Sequence, residues 1–287
     1  MEASRPSGTA ESIAFMRALH LVVDDDPKIF ADPLAAAFLS SEQATVLKAP
    51  PQAFQTPEMR ALRAVFVVRQ RYAEDELAKA LARGVSQYVI LGAGLDSFAY
   101  RRPDLQQTVH VYEVDHPASQ GWKRQRLTEL GIALPGNLAF IPIDFEVQTL
   151  AAGMAASAFN PHEPAFFSWL GVTQYLTTEA VLSTLRYVAS SAAPGSAIVF
   201  QILLPPSTLS AEDQAVITVA SQNAAQRGEP FQSFFEPKPL EEQLRVMGFR
   251  EVVHFTPAEA TALYFQGRKD GLRLPNYFEL ITAKVGA

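Results

Sequence analysis

The sequence predicts an α/β fold with a mostly parallel β-sheet, and three observations support this fold class. Short apolar runs rich in β-forming residues alternate with longer segments of helical periodicity. Several of these runs end directly at a glycine or an aspartate, which is typical of parallel strands that face a ligand. The composition, 48% hydrophobic and 19% charged residues, is that of an ordinary globular enzyme. Strands joined through helices imply right-handed crossovers.

The N-terminal part is predicted to be helical. Apolar side chains recur there at three- and four-residue steps, and the pair Asp32-Pro33 is typical of a helix start. The segment Asp24 to Pro33 is rich in aspartate and proline, so we expect a solvated, turn-rich loop. The predicted elements are a disordered lead-in over 1–9 and helices over 10–21, 34–39 and 57–83, the last closed by Gly84.

Seven apolar runs after residue 84 are predicted to form the sheet, with helices between most of them. The predicted strands are 87–91, 108–114, 138–143, 164–169, 196–204, 249–255 and 278–285, and the predicted helices are 117–130, 178–190, 212–226 and 240–247.

The regular alternation is interrupted after the fifth strand. Residues 205–239 carry prolines, one helix and a cluster of phenylalanines, and an insertion at this place in the fold is a candidate lid. We therefore expect one domain over 1–287. Its predicted parts are an N-terminal helical cap (1–83), a ligand-binding core (84–204), the lid insertion (205–239) and the C-terminal core strands (240–287).

Charge and composition exclude several classes of function. Lysine plus arginine number 24 and aspartate plus glutamate 30, a net charge of −6 without a basic run, which disfavours a nucleic-acid partner. The absence of cysteine excludes disulfides, thiolate nucleophiles and zinc–thiolate sites, and no metal site is expected. No apolar run reaches the roughly 18 residues of a spanning helix, so we expect no membrane partner and a cytoplasmic protein.

A glycine-rich turn directly after the first strand is the strongest local signal. Gly92 and Gly94 let the backbone bend sharply, approach a ligand closely and present amide groups to it, with Ala93 between them. A dinucleotide-binding fingerprint would carry a third glycine where Ser97 stands. The turn therefore indicates a ligand site and disfavours pyrophosphate binding.

Carboxylates at the next two strand ends strengthen this interpretation. Glu113 and Asp115 point the same way on the second strand, and Asp115 lies nearer the carboxyl edge, where it could accept bonds from ribose hydroxyls. Asp144 and Phe145 follow the third strand, where an acid beside an aromatic ring suits the amine and the face of an adenine. Parallel strands bring these three ends to one edge of the sheet.

Four motifs resemble the leucine carboxyl methyltransferase family, which includes bacterial polyketide O-methyltransferases. They occur in family order over about residues 10–196, as QYVILGAGLDSFAYR (87–101), YEVDHP (112–117), IDF (143–145) and GVTQYL (171–176). The resemblance implies a Rossmann-like class I methyltransferase fold, with a seven-stranded sheet, helices on both faces, an N-terminal helical extension and a lid after strand five. It also implies S-adenosyl-L-methionine as the cofactor.

The resemblance assigns roles to individual residues. Gly92, Ala93 and Gly94 would line the methionine side of the cofactor, Asp115 would bind the ribose, and Asp144 with Phe145 would bind the adenine. Arg69 matches the arginine that faces the cofactor carboxylate, with Arg71 as its close competitor.

One departure from the family pattern lies at Leu170, a position that the resemblance places at the cofactor. Many relatives carry an acid before Gly171, and its loss here removes one charged contact to the cofactor or substrate, which puts a protein-carboxylate substrate in doubt. Trp169 and Tyr175 are instead candidates to shape a pocket for an aromatic or apolar small molecule. A carboxylate acceptor needs no base, and a hydroxyl acceptor would need one, for which Tyr175 or one of the five histidines is the candidate.

We therefore expect an O-methyltransferase that acts on a carboxylate or hydroxyl of a small molecule. An NAD(P)-dependent oxidoreductase is the first alternative, and it predicts a third glycine and a Tyr-x-x-x-Lys pair, whereas Tyr175 is followed by Glu179. A binding module that keeps the fold without transferring a methyl group is the second. The oligomeric state is not predicted.

Overall fold

A computed structural model describes residues 8–144, 148–226 and 228–286. Phe145, a predicted adenine contact, lies outside the described residues. The α-helices are α1 (Gly8–Val23), α2 (Ser41–Lys48), α3 (Pro57–Leu81), α4 (Phe98–Arg101), α5 (Pro117–Glu129), α6 (Leu150–Ala155), α7 (Thr178–Ser191), α8 (Ala211–Gln226), α9 (Pro237–Met247) and α10 (Pro257–Ala260). Short 3₁₀ turns lie between several of them, and a π-helical turn, Thr261–Phe265, follows α10.

Seven strands form the sheet. They are β1 (Gln87–Leu91), β2 (His110–Asp115), β3 (Leu138–Pro142), β4 (Ala165–Trp169), β5 (Ala197–Leu203), β6 (Phe249–Phe255) and β7 (Phe278–Val285). Their order in the sheet is β3-β2-β1-β4-β5-β7-β6. The pairs β1–β2, β2–β3 and β4–β5 are parallel, and β7 runs antiparallel to both β5 and β6. The predicted α/β class with a mostly parallel seven-stranded sheet is confirmed.

The register of the first three strands places their carboxyl ends side by side. Leu91 pairs with Val114, and Asp115 pairs with Pro142. Because the two pairings are parallel, the residues that follow β1, β2 and β3 leave the sheet at the same edge. The glycine turn and both predicted acids therefore start from neighbouring positions.

The chain divides into two compact units, and the first comprises residues up to Arg71, Ser86–Phe159 and Gly267–Leu272. β1 is buried at every position, as expected for an inner strand of a parallel sheet. An apolar cluster connects α1 to the region after β1 and to α5, because side chains from all three are buried together away from water. Its members include Phe15, Leu19, Phe38, Leu95 and Leu127.

The second unit comprises Tyr72–Val85, Asn160–Gln266 and the residues from Arg273 onward. β4 and β5 are buried at every position. Tyr72 stacks on Phe255 with 4.1 Å between ring centroids, and its hydroxyl lies 2.8 Å from the Thr282 hydroxyl. The division of the sequence into a cap, core, lid and C-terminal strands stays a prediction.

Element boundaries agree closely with the sequence prediction where the periodicity is strong. β1, β6 and β7 have the predicted bounds, and α3 ends at Leu81, three residues before the predicted Gly84 stop, which has φ +92°. Four short helices were not predicted, namely α2, α4, α6 and α10, each of four to eight residues. Such lengths carry too few turns for an apolar period to be read.

The prediction of a solvated loop over Asp24–Pro33 is wrong for its two end acids. Asp24 is 5% exposed and Asp32 is fully buried. Asp24 pairs with Arg63, and Asp32 pairs with Arg17, so the carboxylates are neutralised by side chains from α3 and α1. The predicted helix at 34–39 is a single 3₁₀ turn over Ala35–Phe38.

Two further observations concern the ends and the apolar content of the chain. α1 already begins at Gly8, so the last two residues of the predicted disordered lead-in are helical. Within residues 8–144, 148–226 and 228–286, no helix has both the length and the apolar character that crossing a membrane requires.

Candidate functional site

The glycine turn, defined here as residues 92–97 (GAGLDS), is fixed against β2 by its backbone. The amides of Gly92 and Ala93 both donate to the Val114 carbonyl, at 2.8 and 3.1 Å. Gly92 and Gly94 have φ values of +67° and +48°, a left-handed conformation that favours glycine. The turn therefore has a defined shape at the carboxyl edge of the sheet.

Asp115 is the acid nearest to this turn. One of its carboxylate oxygens accepts a hydrogen bond from the Gly94 amide, and the other accepts one from the His116 amide at 2.6 Å. Burial raises the pKa of the Asp115 carboxyl, although both backbone hydrogen bonds act against that rise. Each oxygen of a carboxylate can accept more than one hydrogen bond, so the half-buried side chain can still accept bonds from a diol.

Glu113, the competing acid on β2, has a different environment. It is 1% exposed, and its carboxylate accepts a hydrogen bond from the Lys123 ammonium at 2.7 Å. Burial raises the pKa of Glu113 to about 7, with the Lys123 charge opposing the rise. Because Glu113 is enclosed and paired with a buried lysine, the geometry favours Asp115 over Glu113 as a ligand contact.

Asp144 stands beside Asp115 at the end of the neighbouring strand. Its side chain is about one-third exposed, and its carboxylate lies 3.7 Å from His116 Nε2. The other ring nitrogen, His116 Nδ1, accepts a hydrogen bond from the Ala118 amide at 3.2 Å and so caps α5. A neutral His116 with this cap carries its proton on Nε2, facing Asp144. The structure thus brings the glycine turn, Asp115 and Asp144 to one edge.

The two candidate arginines on α3 differ in burial. Arg69 is 5% exposed, and its guanidinium packs over the Phe66 ring at 4.8 Å from the centroid. Arg71 is exposed and donates to the Ile29 carbonyl at 3.3 Å. A buried cation suits a ligand carboxylate better than an exposed cation bonded to the backbone, which favours Arg69.

Leu170 and Tyr175 belong to the second unit and are described within it. Leu170 is half-buried and directly follows β4, and Gly171 after it has φ +71°. Trp169 is only 3% exposed, as is typical of a core side chain, and its part in shaping a pocket stays a prediction.

Tyr175 is held by a segment that the sequence placed in the lid insertion. Its ring contacts Phe231 edge-on, with 5.6 Å between centroids, and the Gln232 side chain donates to the Tyr175 carbonyl at 2.5 Å. The backbone amide of Gln232 donates to the Gln174 carbonyl, and the Ser233 hydroxyl donates to the Thr173 carbonyl. Residues 231–233 are thus fastened to the turn that carries Tyr175, a contact that sequence periodicity could not reveal.

His116 is the histidine described at the strand ends, where it faces Asp144, and the other four have different surroundings. His20 lies between Asp24 and the Ile29 amide, and His254 is paired with Glu279. His110 and His162 are exposed.

A cleft with a volume of about 670 Å³ lies elsewhere in the first unit. Its walls are the 36–44 segment and the second half of α5, including Trp122 and Arg126. None of the predicted ligand residues lines it, so it is not the site at the strand ends.

Comparison with known proteins identifies the family. The family described as leucine carboxyl methyltransferase matches residues 10–189, more than half of the sequence. This chain belongs to the leucine carboxyl methyltransferase family. The predicted family and the predicted enzyme class are therefore confirmed. The match includes β1, β2, β3 and β4, and hence all four motifs on which the resemblance was based.

Individual relatives agree with this membership. The Bacillus subtilis protein YktD, described as an S-adenosyl-L-methionine-dependent methyltransferase, is 35% identical over 72% of this chain and 67% of its own length. A Frankia alni protein with the same description is 32% identical over 67% of this chain and 68% of its own.

Solved structures match the fold of this family member over its whole length. A DUF574 family protein from Streptomyces avermitilis has a TM-score of 0.57 at 14% identity and covers 98% of each chain. A Thermobifida fusca protein described as a methyltransferase has a TM-score of 0.58 at 16% identity and covers 100% of this chain and 97% of its own. These similarities concern the fold alone.

Proposed function

We propose that this family member transfers the methyl group of S-adenosylmethionine to a carboxylate or hydroxyl oxygen of a small molecule. The chain is a methyltransferase, and its cofactor is S-adenosyl-L-methionine, the compound on which its relatives are described as dependent. The observation that carries the site assignment is the contact between the Gly94 amide and Asp115, which joins the glycine turn to the acid of the next strand.

The residues at the strand ends fit an adenosyl group. Asp115 is held by two backbone amides and keeps lone pairs for the two ribose hydroxyls. Asp144, one strand further, is placed to accept a hydrogen bond from the exocyclic amine of adenine. Gly92 and Gly94, without side chains, leave room for the methionine part, and the buried Arg69 would neutralise its carboxylate.

The chemistry demands positioning rather than acid–base work. When bound, S-adenosylmethionine supplies a sulfonium-activated methyl group, and the acceptor oxygen forms the bond to carbon while sulfur keeps the electron pair of the broken bond. The protein has to align the oxygen with that bond and exclude water from it. The glycine turn, held by two backbone hydrogen bonds to β2, is suited to the positioning of the cofactor.

Leu170 supports the choice of acceptor class. An apolar residue in the place of the family acid removes one negative charge that would face the cofactor or the substrate, which favours an acceptor with apolar or aromatic surface and an anionic oxygen. A carboxylate acceptor would receive the methyl group without a base. For a hydroxyl acceptor, the Tyr175 oxygen is the candidate proton acceptor in the second unit.

Two measurements test the proposal. Calorimetric titration with S-adenosylmethionine, S-adenosylhomocysteine and NAD should show binding of the first two alone, and binding of NAD alone would favour the oxidoreductase alternative. A labelled-methyl transfer assay against a panel of carboxylic acids and phenols should then yield a methylated oxygen. Tight cofactor binding without transfer to any acceptor would favour a non-catalytic module.

A further inference from the structure

Two buried polar side chains from the N-terminal helices contact the glycine turn. Arg17 on α1 donates from Nη2 to the Leu95 carbonyl at 2.6 Å. Gln70 on α3 donates from Nε2 to the Asp96 carboxylate at 2.5 Å. Arg17, Gln70 and Asp96 are each 5–6% exposed, so these bonds are shielded from competing water.

The Asp96 carboxylate depends on these contacts. Its second oxygen accepts a hydrogen bond from the Phe98 amide at 2.7 Å, which starts helix α4. The Asp96 amide itself donates to the Ala93 carbonyl at 2.8 Å and so closes the turn. A buried carboxylate that loses a donor is left partly unsatisfied, and the backbone that carries it must move to find water or another donor.

The Arg17 contact is stabilised by a second buried acid. Arg17 Nε lies 3.1 Å from Asp32, which is fully buried and also lies 3.6 Å from Arg101 Nε on α4. Arg101 in turn donates to the Ser97 hydroxyl at 2.8 Å. Leu95 is inserted among the apolar side chains of α1 and α5. Polar and apolar contacts thus hold the turn in place on the side of the N-terminal helices.

We propose that Gln70 and Arg17 are positioning residues that fix the glycine turn in the conformation that receives the cofactor. The inference rests on the proposed function, because it assumes that the turn binds S-adenosylmethionine. It follows that α3 acts twice, since it carries Arg69 toward the cofactor carboxylate and Gln70, the next residue, toward Asp96. The N-terminal helices are then a working part of the cofactor site.

The test compares Gln70→Met, which keeps the size of the side chain and removes the donor, with the wild type. Calorimetric titration with S-adenosylhomocysteine should show affinity at least tenfold weaker in Gln70→Met. The double variant Gln70→Met/Asp96→Asn removes the unsatisfied charge and should recover affinity to within about threefold of the wild type. Gln125→Met, on the exposed face of α5, is the matched control and should bind as the wild type does.

Affinities are compared only between folded variants, because an unsatisfied buried carboxylate at Asp96 would lower stability as well as affinity. Circular dichroism and Tm are measured for each variant. If Gln70→Met does not fold, Gln70→Asn, which draws the amide back by one methylene, replaces it and should bind at least threefold more weakly than the wild type.

The outcomes distinguish the two levels of the proposal. If the wild type does not bind S-adenosylhomocysteine, both the proposed function and the positioning role of Gln70 and Arg17 are overturned. If the wild type binds and a folded Gln70→Met variant binds equally well, the positioning role is overturned and the proposed function stands. Weak binding by Gln70→Met without recovery in the double variant also overturns the positioning role, because the unsatisfied Asp96 carboxylate would not be the cause.

Discussion

A ligand-binding residue at the edge of the sheet needs a fixed position and free capacity to accept hydrogen bonds. Asp115 shows both, since backbone amides orient it from two sides while its oxygens keep lone pairs. Such an acid is costly for the fold, because burial raises its pKa and favours the neutral form. A ligand that donates two hydrogen bonds would relieve part of that cost.

Replacement of this acid should weaken cofactor binding. We expect Asp115→Ala to lose about 1–3 kcal/mol of S-adenosylhomocysteine affinity, from the missing charge-assisted bonds to ribose. Calorimetry measures the loss, and Asp104→Ala, an exposed acid paired with Arg102, serves as the control. Unchanged affinity in a folded Asp115→Ala variant would exclude Asp115 as the ribose partner.

Replacement by alanine should change the free energy of unfolding in opposite directions at two glycines of the first unit, Gly94 and Gly121. A Cβ at Gly94 would meet nothing closer than 3.6 Å, so the cost of Gly94→Ala comes from its φ of +48° and is about 1–2 kcal/mol of unfolding free energy. Gly121 lies within α5 with open space around it, and Gly121→Ala should stabilise by about 0.5–1 kcal/mol. Urea unfolding measures both, and equal signs would contradict the conformational explanation.

At the scale of elements, the N-terminal helices are joined by a buried ionic cluster. Arg63 on α3 donates two hydrogen bonds to Asp24, at 2.7 and 2.9 Å, and His20 on α1 lies 2.9 Å from the same carboxylate. Burial alone would raise the pKa of Asp24, but the hydrogen bonds from His20 and Arg63 outweigh it and hold the pKa below its usual range. The cluster joins the C-terminal end of α1 to α3.

This cluster makes stability depend on pH with a defined sign. Because the folded pKa of Asp24 lies below its unfolded value of about 3.9, the carboxylate stabilises the fold above that pH, and the contribution is lost as the pH falls through the folded pKa. We expect Asp24→Asn to lower stability at pH 7 by about 3–5 kcal/mol, since Arg63 would be left buried without its charge partner.

Thermal unfolding of wild type and Asp24→Asn between pH 7 and pH 3 measures this effect. The difference in Tm between the two should shrink as the pH approaches 3. A difference that stays constant over this range would show that Asp24 does not act through its charge.

The elements that could be predicted are those with a long apolar period or a run between clear stop signals. The bounds of β1 and β7 followed from apolar runs bordered by polar or turn residues, and the long α3 from its three- and four-residue steps. The ionic cluster could not be predicted, because Asp24 and Arg63 are 39 residues apart and an acid in a proline-rich segment usually faces water. The same holds for Gln70, whose partner Asp96 lies 26 residues further along.

For the molecule as a whole, the first compact unit holds the candidate cofactor residues of the strand ends, namely the glycine turn, Asp115 and Asp144, together with Arg69. The motifs predicted this site because its parts stand at consecutive strand ends. The packing of segment 231–233 against the Tyr175 turn could not be predicted, because its partners are set by tertiary contacts.

Cofactor binding should stabilise the folded state against unfolding. S-adenosylhomocysteine at one hundred times its Kd should raise the free energy of unfolding by about 2.7 kcal/mol, because it binds only the folded state. A thermal shift assay with S-adenosylhomocysteine and, as the control, NAD measures this. An equal shift with both compounds would indicate a site that does not discriminate a methyl-donor product from a dinucleotide.

The most direct measurement is a crystal structure of the chain grown with S-adenosylhomocysteine. The ribose hydroxyls should lie within about 3 Å of the Asp115 carboxylate, with the adenine amine beside Asp144 and the homocysteine part over Gly92 and Gly94. Density for the compound away from these three strand ends, with Asp115 still bonded only to the Gly94 and His116 amides, would contradict the assignment.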